Sequence, residues 1–382
     1  MASPLFLRRI KGDFIFMSDS KLNIKRQLGL LYISNFLFNS SIAGAAWVLL
    51  LVTDGYSLVR VGFAETVFHI VSLTAEIPSG MFADVFGRKK SLILSCLMTM
   101  CSAFVRGFIP GFAAVCVSVG FSALSYNFIS GSDSAIAYDS LKEEGQENKY
   151  DKYISTQTVI YRISNGLATL FAGAAVIMGN RNAQVLSIGI SLLNLVFLLF
   201  LRENKVILKK TGDSLKKRIV DVYKGSWQFL KGNKKVAGLI FRNALVGGID
   251  VLLLFFLQAK LPMTGIPDWT LGPLLFVMSM GGIVGALAAR KVKKTSLAKL
   301  FVFCISLALI GLASEFTGIW YVMTLGGFAT AFADDLIQIR SDIALNQMVP
   351  AEQRATLMSV NSFCFSCIMI VMSPLAGFIF SL

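Results

Sequence analysis

Residues 80–90 read GMFADVFGRKK, a short polar loop between two long apolar segments. Its two glycines, Gly80 and Gly87, allow a tight turn and close packing, because glycine lacks a β-carbon. Asp84 can accept hydrogen bonds from free backbone amides at a helix start, or it can pair with an arginine. The three basic residues that follow would hold the loop on one side of a membrane. The full spacing G-x-x-x-D-x-x-G-R-K is more particular than a basic loop that only fixes topology.

The apolar residues on both sides of this loop fall into long blocks. Each block approaches or exceeds the roughly 17–25 residues that a helix needs to cross the hydrocarbon core of a bilayer. Helices are the expected spanning form, because open backbone cannot satisfy its hydrogen bonds in lipid. We count eleven blocks, at about residues 28–52, 59–84, 91–110, 112–138, 155–179, 183–201, 236–258, 271–289, 297–314, 318–345 and 355–381. The sequence therefore predicts an all-α polytopic membrane protein with about 11 transmembrane helices.

The composition excludes a soluble protein of ordinary type. Of the 382 residues, 55% are hydrophobic and only 15% are charged, whereas soluble chains are about a quarter charged. The 36 Lys and Arg residues are placed asymmetrically: 29 of the 36 fall on the side of the N-terminus and three on the opposite side. The positive-inside rule then places the N-terminus in the cytoplasm. The net charge of +14 is thus read as a topological signal and as contact with anionic lipids, not as nucleic-acid binding.

The longest polar stretch divides the apolar blocks into six and five. It is basic, and the apolar residues Ile219, Val222, Tyr223, Trp227 and Leu230 within it recur at helical spacing, which predicts an amphipathic surface helix. A division into two bundles is typical of secondary transporters. We predict a cytoplasmic N-terminal segment at 1–27, a six-helix bundle at 28–201, a basic cytoplasmic linker at 202–235 and a C-terminal bundle of five helices at 236–382.

The loop at residues 80–90 resembles the signature between helices 2 and 3 of the major facilitator superfamily (MFS). Other stretches are similar to a bacterial drug-efflux-like branch of that family. They are Glu76-Ile-Pro78-Ser79-Gly80, Ser130-Gly131 with Tyr138-Asp139-Ser140-Leu141, and Asn346-Gln347-Met348-Val349-Pro350 followed by Arg354-Ala355-Thr356. The resemblance implies a fold of two pseudo-symmetric helical bundles and transport by alternating access.

The resemblance also implies a gating role for the loop. In the family, the Asp and Arg of this loop join a charge cluster that latches the two halves together on the cytoplasmic side. By position, the gating residues here are Gly80, Asp84, Gly87, Arg88 and Lys89, with Asp139 as the expected partner of the charged pair.

Several family features are absent from this sequence. Residues 120–134 contain no Arg, although proton-coupled drug exporters of the family commonly carry one in helix four. The Gly-Pro motif that marks antiporters is missing from 165–179, and the second-half loop at 285–294 is basic but lacks the Asp. A missing twelfth helix would place the C-terminus outside. These departures remove the usual sequence support for efflux by proton antiport.

Ionisable side chains inside the predicted spans are the candidate functional residues. Each costs roughly 2.5–3.5 kcal/mol at the bilayer midplane, so they are expected to line an interior cavity, pair or be neutral. The resemblance implies a central cavity lined by helices 1, 4, 7 and 10 and flanked by 2, 5, 8 and 11. The candidates for substrate or proton binding are Asp133, Arg162, Asp250, Asp334, Asp335, Glu65, His69, Glu76 and the polar Asn39.

Helical spacing groups some of these candidates. Glu65, His69, Ser72 and Glu76 lie on one face of span two. His69 is the only histidine in the chain, and between two carboxylates it could relay protons near neutral pH. The alternative is that this stripe hydrogen-bonds to a neighbouring helix.

Two further groupings concern spans four, five, seven and ten. Asp133 and Arg162 could pair, either as a structural ion pair or as a gate that opens on substrate binding. Asp250 lies near the middle of span seven. Asp334 and Asp335 are adjacent in span ten, where both cannot ionise at low cost.

The leading hypothesis is a secondary active transporter of a small molecule, with proton-coupled efflux of an amphipathic compound by antiport as the expected mode. The alternative is an importer or uniporter of a polar metabolite, and a third is a non-transporting receptor or scaffold with a carrier fold. An enzyme is not expected, because no metal cluster and no nucleophile beside a base is found. We expect no cofactor or metal, and a monomer in the plasma (inner) membrane of a bacterium, with substrate, protons and membrane lipids as its partners.

Overall fold

A computed structural model describes residues 6–10, 13–17, 23–203, 224–225, 228–229, 231–348 and 354–381 of the chain. The first two ranges form an antiparallel hairpin of β1 (Phe6–Ile10) and β2 (Asp13–Met17). No strand was predicted in the N-terminal segment, so this hairpin is an addition to the prediction. The rest of the described chain is helical, which confirms the all-α prediction for the membrane region.

The helices of the first half follow the predicted spans, with breaks inside some of them. Span one is divided into three helices, and spans four and five into two each. In chain order the helices are α1 (Ile24–Phe38), α2 (Ile42–Ala45), α3 (Trp47–Thr53), α4 (Leu58–Phe86), α5 (Arg88–Phe108), α6 (Phe112–Ile129), α7 (Ser132–Glu143), α8 (Tyr150–Leu170), α9 (Ala172–Met178) and α10 (Asn180–Leu199).

The second half contains five long helices in its described residues. They are α11 (Lys234–Met263), α12 (Leu271–Ala289), α13 (Leu297–Ser314), α14 (Trp320–Met348) and α15 (Arg354–Phe380). Short helical pieces at 224–225, 228–229 and 231–232 precede α11. The five apolar residues of the predicted amphipathic linker helix lie outside the described residues.

Eight helical stretches of the described chain are long and apolar enough to cross a membrane, or nine if the pair Glu147–Leu170 and Ala172–Met178, bent by 44°, is one span. The prediction of about eleven spans also counted the first span and the tenth. The pieces α1 to α3 are each shorter than a span, and α14 carries several ionisable residues. Eleven is therefore roughly consistent with the helices observed.

A ladder of hydroxyl groups joins α5 to α6. The Ser95 hydroxyl donates to the Ser125 carbonyl at 2.8 Å, and Ser125 lies 2.7 Å from the hydroxyl of Thr99. Both serines are buried. Hydrogen bonds and small residues replace the hydrophobic effect as the basis of helix association in lipid. Two further hydroxyl pairs, Ser102–Ser122 and Ser102–Ser118, continue the ladder. Ser132, the first residue of α7, donates to the Ser91 hydroxyl of α5.

The ladder predicts that substitutions at Ser125 lower stability, and that a larger new side chain lowers it more. We expect Ser125→Ala to lower stability by about 0.6–1.7 kcal/mol, since interhelical hydrogen bonds in membranes contribute that much. Ser125→Leu should cost more, because a large side chain overpacks the buried interface. Thermal unfolding in detergent measures both. The same substitutions at Ser155, which is exposed on α8, are the matched control. Equal effects at the two positions would contradict a packing role for the ladder.

The backbones of α12 and α14 approach each other closely through glycines. A β-carbon at Gly281 would overlap the carbonyl oxygen of Phe328, and one at Gly285 would overlap that of Phe332. The spacing Gly281-x-x-x-Gly285 is the small-residue pattern that allows such contact between membrane helices. These two glycines therefore set the distance between α12 and α14.

The described chain groups into two compact units that do not follow the predicted bundles. Unit 1 draws on Met1–Ser41, Val71–Ala168 and Arg181–Leu215. Unit 2 draws on Ile42–Ile70, Thr169–Asn180 and Lys216–Leu382. The division into bundles at 28–201 and 236–382 remains a prediction.

Backbone contacts within unit 2 explain why it includes pieces of the first half. A β-carbon at Gly62 on α4 would overlap the carbonyl oxygen of Ser373 on α15. On α12, a β-carbon at Gly272 would overlap the carbonyl oxygen of Leu170, which ends α8. Small residues thus allow α4 and the end of α8, both from the first half, to pack closely on helices of the second half.

Candidate functional site

Three carboxyl groups of unit 2 come together where α11, α12 and α14 pack. Asp250 lies on α11, and Asp334 and Asp335 lie on α14. Oδ1 of Asp334 is 3.1 Å from the position of a β-carbon at Gly247, one turn before Asp250. Oδ2 of Asp335 reaches α12 at Gly282, where a β-carbon would overlap it. The missing side chains of two glycines therefore make the space that the two α14 carboxylates occupy.

The charges of this acidic cluster (Asp250, Asp334 and Asp335) interact with one another. Asp250 is close enough to both α14 carboxylates for direct electrostatic repulsion. In the described part of the chain, no Lys or Arg forms an ion pair with Asp250 or Asp334. Negative charges close together are costly in a low-dielectric interior, because they repel one another. The cluster can reduce that cost by holding protons or a cationic group.

A second polar site in unit 2 joins Glu65 and His69 on α4. Oε1 of Glu65 lies 3.2 Å from Nε2 of His69, and both side chains are buried. The imidazole packs between Phe68 and Phe365, with ring centroids 5.4 and 5.8 Å away. Among the described residues, nothing hydrogen-bonds to its buried Nδ1 atom. The predicted helical face therefore brings these two side chains into contact.

The other two residues of the span-two stripe belong to unit 1. Ser72 donates to Oδ1 of Asn127 at 2.9 Å, and Asn127 donates to the Ser72 carbonyl at 2.7 Å. This pair joins α4 to α6, so the alternative interpretation of the stripe, bonding to a neighbouring helix, holds at Ser72. Glu76 is half-buried and interacts electrostatically with Tyr126.

Asp133 and Arg162 do not form the ion pair that was considered for them. Gly131 adopts a positive φ of 72° and breaks the fourth span, so that Asp133 lies in the first turn of α7. There Oδ1 accepts from the Ser134 N–H at 2.6 Å and Oδ2 from Gln157 at 3.3 Å. Arg162 lies on an exposed face of α8 near the ring of Tyr161. The pairing fails because Gln157 and Arg162 are on different faces of that helix.

Asn39 ends α1 and bonds locally. Its side chain donates to the Asn35 carbonyl at 2.8 Å, one turn earlier on the same helix. Asn39 belongs to unit 1, as do Asp133 and Arg162. The predicted substrate and proton candidates therefore fall into two groups, and only those of unit 2 form a cluster of carboxylates.

The predicted gating loop forms one of its expected ion pairs. Nη2 of Arg88 lies 3.2 Å from Oδ1 of Asp84, with the side chains 31% and 59% exposed. A pair this exposed contributes about 0–1 kcal/mol. Among the described residues, no ion pair joins Asp139 to Asp84 or Arg88, and Arg88 instead pairs with the carboxylate one turn away on the chain. Gly80 lies in α4 with no neighbour near a β-carbon position, so packing does not require glycine there.

Glu203 accepts a hydrogen bond from the C-terminal part of the gating loop. This role of Glu203 was not predicted from the sequence. Its Oε1 accepts from the Lys89 N–H at 3.2 Å, and the Arg88 and Lys90 N–H groups lie near the same carboxylate. Gly87 has a φ of +109°, and a β-carbon there would overlap this carboxylate. Nζ of Lys89 donates to the Leu199 carbonyl at the end of α10, at 2.8 Å. The Gly-Arg-Lys motif is therefore the start of α5, capped by an acid that follows α10.

One sequence signal could have pointed to Glu203. The first N–H groups of a helix need acceptors, and Ser, Thr, Asp or Asn usually supplies one at the cap. α5 begins after Gly87, which has no side chain. An acceptor had to come from another segment on the basic side, and Glu203 is the acid that directly follows span six.

Two substitutions of Glu203 distinguish the effect of its hydrogen-bond acceptor from the effect of its negative charge. Glu203→Ala removes the acceptor of the Lys89 N–H in the first turn of α5 and should lower stability by about 0.5–2 kcal/mol. Burial raises the pKa of Glu203, and the bonds from residues 88–90 oppose this only in part. Glu203→Gln keeps an acceptor and no charge, so wild type should lose stability relative to it as the pH rises to neutral. Glu144→Ala, at an exposed site, is the control in thermal unfolding. A loss in Glu203→Gln equal to that in Glu203→Ala would contradict the capping role.

The fold and these sites define a polytopic helical membrane protein with buried carboxylates in its spanning helices. Residues 28–314 match the family model described as the Major Facilitator Superfamily. The chain belongs to this superfamily. It is therefore an integral membrane protein and a transporter, not an enzyme.

Relatives and solved structures agree with this family. An uncharacterized MFS-type transporter of Bacillus subtilis, YxaM, is 23% identical over 83% of this chain and 79% of its own. The nucleoside transporter NupG has a similar fold, with a TM-score of 0.74, 15% identity and coverage of 94% and 96% of the two chains. A D-xylose-proton symporter matches with a TM-score of 0.63, 13% identity and coverage of 92% and 90%. At these identities the two structures show the fold alone.

Proposed function

We propose that this transporter couples substrate movement to protons through the acidic cluster, and that it exports a small amphipathic compound. The observation that carries the proposal is that Asp334 and Asp335 occupy the spaces left by Gly247 and Gly282, within electrostatic reach of Asp250. Protons and a cationic substrate would compete for the same carboxylates. Such competition is the elementary requirement of antiport, because loading one ligand releases the other.

The proposed arrangement in the cell follows from the placement of basic residues. We place the protein as a monomer in the plasma membrane of a bacterium, with its N-terminus in the cytoplasm. The Asp84–Arg88 pair and the Glu203 cap would then lie on the cytoplasmic side, in the region of the gating loop. Their role in gating is part of the proposal.

A second candidate function is import or uniport of a polar metabolite. It is favoured by two proteins with a similar fold, a nucleoside transporter and a D-xylose-proton symporter. In this alternative, a proton and the substrate would occupy the protein together and move in the same direction. The acidic cluster is compatible with that mode, so direction must be measured.

Proteoliposomes with an acidic lumen distinguish these modes. We use ethidium as the amphipathic cation, and uridine and D-xylose as the polar compounds. Antiport predicts ethidium accumulation in the lumen, because protons leave as the cation enters, and an uncoupler should abolish it. Entry must be compared with protein-free liposomes. Proton-linked movement of uridine or xylose towards the alkaline side would support symport. Transport of none of the three would favour the receptor or scaffold hypothesis for these ligands.

A further inference from the structure

The ring of Phe365 on α15 packs on His69 and also lies beside Gly247, next to the acidic cluster. Its centroid is 5.8 Å from that of the His69 imidazole, with the two planes at 69°. Its Cε2 atom lies 3.7 Å from the position of a β-carbon at Gly247, and Oδ1 of Asp334 lies 3.1 Å from that same position. One aromatic side chain thus packs on His69 of the Glu65–His69 pair and lies beside Gly247, the glycine that Asp334 of the acidic cluster approaches.

The contact between Glu65 and Nε2 of His69 leaves the other ring nitrogen, Nδ1, available to bind a proton. When the Glu65 carboxylate accepts from Nε2–H, the neutral imidazole has its lone pair on Nδ1. His69 is only 6% exposed, and in the described chain its Nδ1 has no hydrogen-bond partner. A buried acceptor without a donor is unfavourable. A proton bound to the Nδ1 lone pair would form an imidazolium whose charge the Glu65 carboxylate, 3.2 Å from Nε2, balances, with no other bond made or broken.

Few titratable side chains lie near His69 on the helices that the contacts of His69 and Phe365 identify, α4, α11 and α15. Glu65 lies on the same helix, and Phe365 and Gly247 offer no titratable side chain. Asp334 lies beyond Phe365, on α14. The thiols of Cys364 and Cys367 flank Phe365 on α15 and are weak acids. Glu65 is therefore the one ion partner that the structure gives to a protonated His69 among the described residues.

We propose that the Glu65–His69 pair is a second proton-binding site of this transporter, and that Phe365 separates it from the acidic cluster. The proposal rests on the proposed function, in which that cluster is the first proton site. A proton needs polar groups or water to pass between the sites, and the phenyl ring provides neither. Proton transfer between the two sites then requires the ring to move. Phe365 is a positioning residue in this scheme, since it binds no proton itself.

Removing the ring should open a proton path. Phe365→Ala vacates more than the ~30 Å³ that one water molecule occupies in the liquid, beside buried polar groups that can bind it. We measure proton flux into proteoliposomes with an enclosed pH dye, under a potassium diffusion potential and without substrate. Wild type should match protein-free liposomes, and Phe365→Ala should be about tenfold faster because the site no longer excludes water. Phe378→Ala on the same helix, where Phe378 is 58% exposed, is the matched control and should not leak.

His69→Gln tests whether the leak uses the proposed site. Glutamine can still donate to Glu65, but it cannot bind a proton near neutral pH. The double variant Phe365→Ala/His69→Gln should return to the flux of wild type. A wild-type flux in folded Phe365→Ala would overturn the proposal, and so would a double variant that leaks as fast as Phe365→Ala. Elution of each variant as a single symmetric peak checks its folding.

A second experiment applies if Phe365→Ala does not fold. In His69→Gln alone, ethidium-driven proton movement should fall about tenfold while ethidium binding stays within about threefold, because only a proton site is lost. Unchanged proton movement would overturn the second site. Failure of the proposed function is distinguishable, because it appears as proton movement that survives in Asp250→Asn and Asp334→Asn. The flux experiment contains no substrate and does not depend on that result.

Discussion

Asp250→Asn should abolish gradient-driven transport while leaving the protein folded. Asparagine has the shape of a protonated carboxyl group and carries no charge, so it relieves the repulsion with Asp334 and Asp335. The variant can no longer exchange a proton for substrate at this position. We therefore expect accumulation of ethidium against its gradient to fall to the level of protein-free liposomes. Exchange of ethidium at equal concentrations on both sides should continue, because it needs no net proton movement.

The control for this variant is Asp268→Asn. Asp268 lies in the same half of the chain, in a short 3-10 helix, and is exposed. The Asp268→Asn variant should accumulate ethidium like wild type. Uphill transport by Asp250→Asn at the wild-type rate would contradict a coupling role for the acidic cluster. Loss of both uphill transport and exchange would indicate a substrate-binding role without proton coupling.

Gly281→Ala should have one of the largest effects on stability among single-methyl additions to the described part of the chain. Its β-carbon would overlap the Phe328 carbonyl oxygen, which is backbone and cannot turn aside like a side chain. Overpacking of a buried contact costs about 1–3 kcal/mol, a large share of the roughly 5–15 kcal/mol that folded proteins have. Gly281→Leu should prevent α12 from packing on α14 altogether.

The same substitution at Gly189 is the matched control for Gly281→Ala. Gly189 is also inside a spanning helix, α10, but no atom lies within 4 Å of its β-carbon position. There alanine should be neutral or slightly stabilising, since it restricts the unfolded chain and favours helix. Thermal unfolding in detergent compares the two variants. Equal stability of Gly281→Ala and Gly189→Ala would contradict the close contact between α12 and α14.

The helices themselves were predictable from the sequence. Long apolar blocks form helices because lipid leaves the backbone no other way to satisfy its hydrogen bonds. The breaks were less predictable: Gly131 interrupts the fourth span with a positive φ, although the apolar pattern continues across it. A glycine inside an apolar block does not by itself reveal whether it turns the chain or packs a helix.

The candidate site was predictable only as separate residues. Asp250 and the Asp334–Asp335 pair were each singled out, but spacing along one helix does not show which helices meet. Their contact depends on Gly247 and Gly282, whose missing side chains matter only after α11, α12 and α14 have packed. Asp133 and Arg162 do not pair for a different reason: α7 and α8 do meet, but through Gln157, and Arg162 is on another face of α8. Glu203 was missed because it bonds to backbone N–H, and almost every residue type has that group, so the sequence does not single out the partner.

The most direct test of proton coupling is a count of protons on substrate binding. Ethidium is added to purified protein in a weakly buffered solution, and the pH change is measured for wild type, Asp250→Asn and Asp334→Asn. Competition at the acidic cluster predicts proton release by wild type and its loss in both variants. Ethidium binding without any proton release by wild type would contradict coupling through these carboxylates.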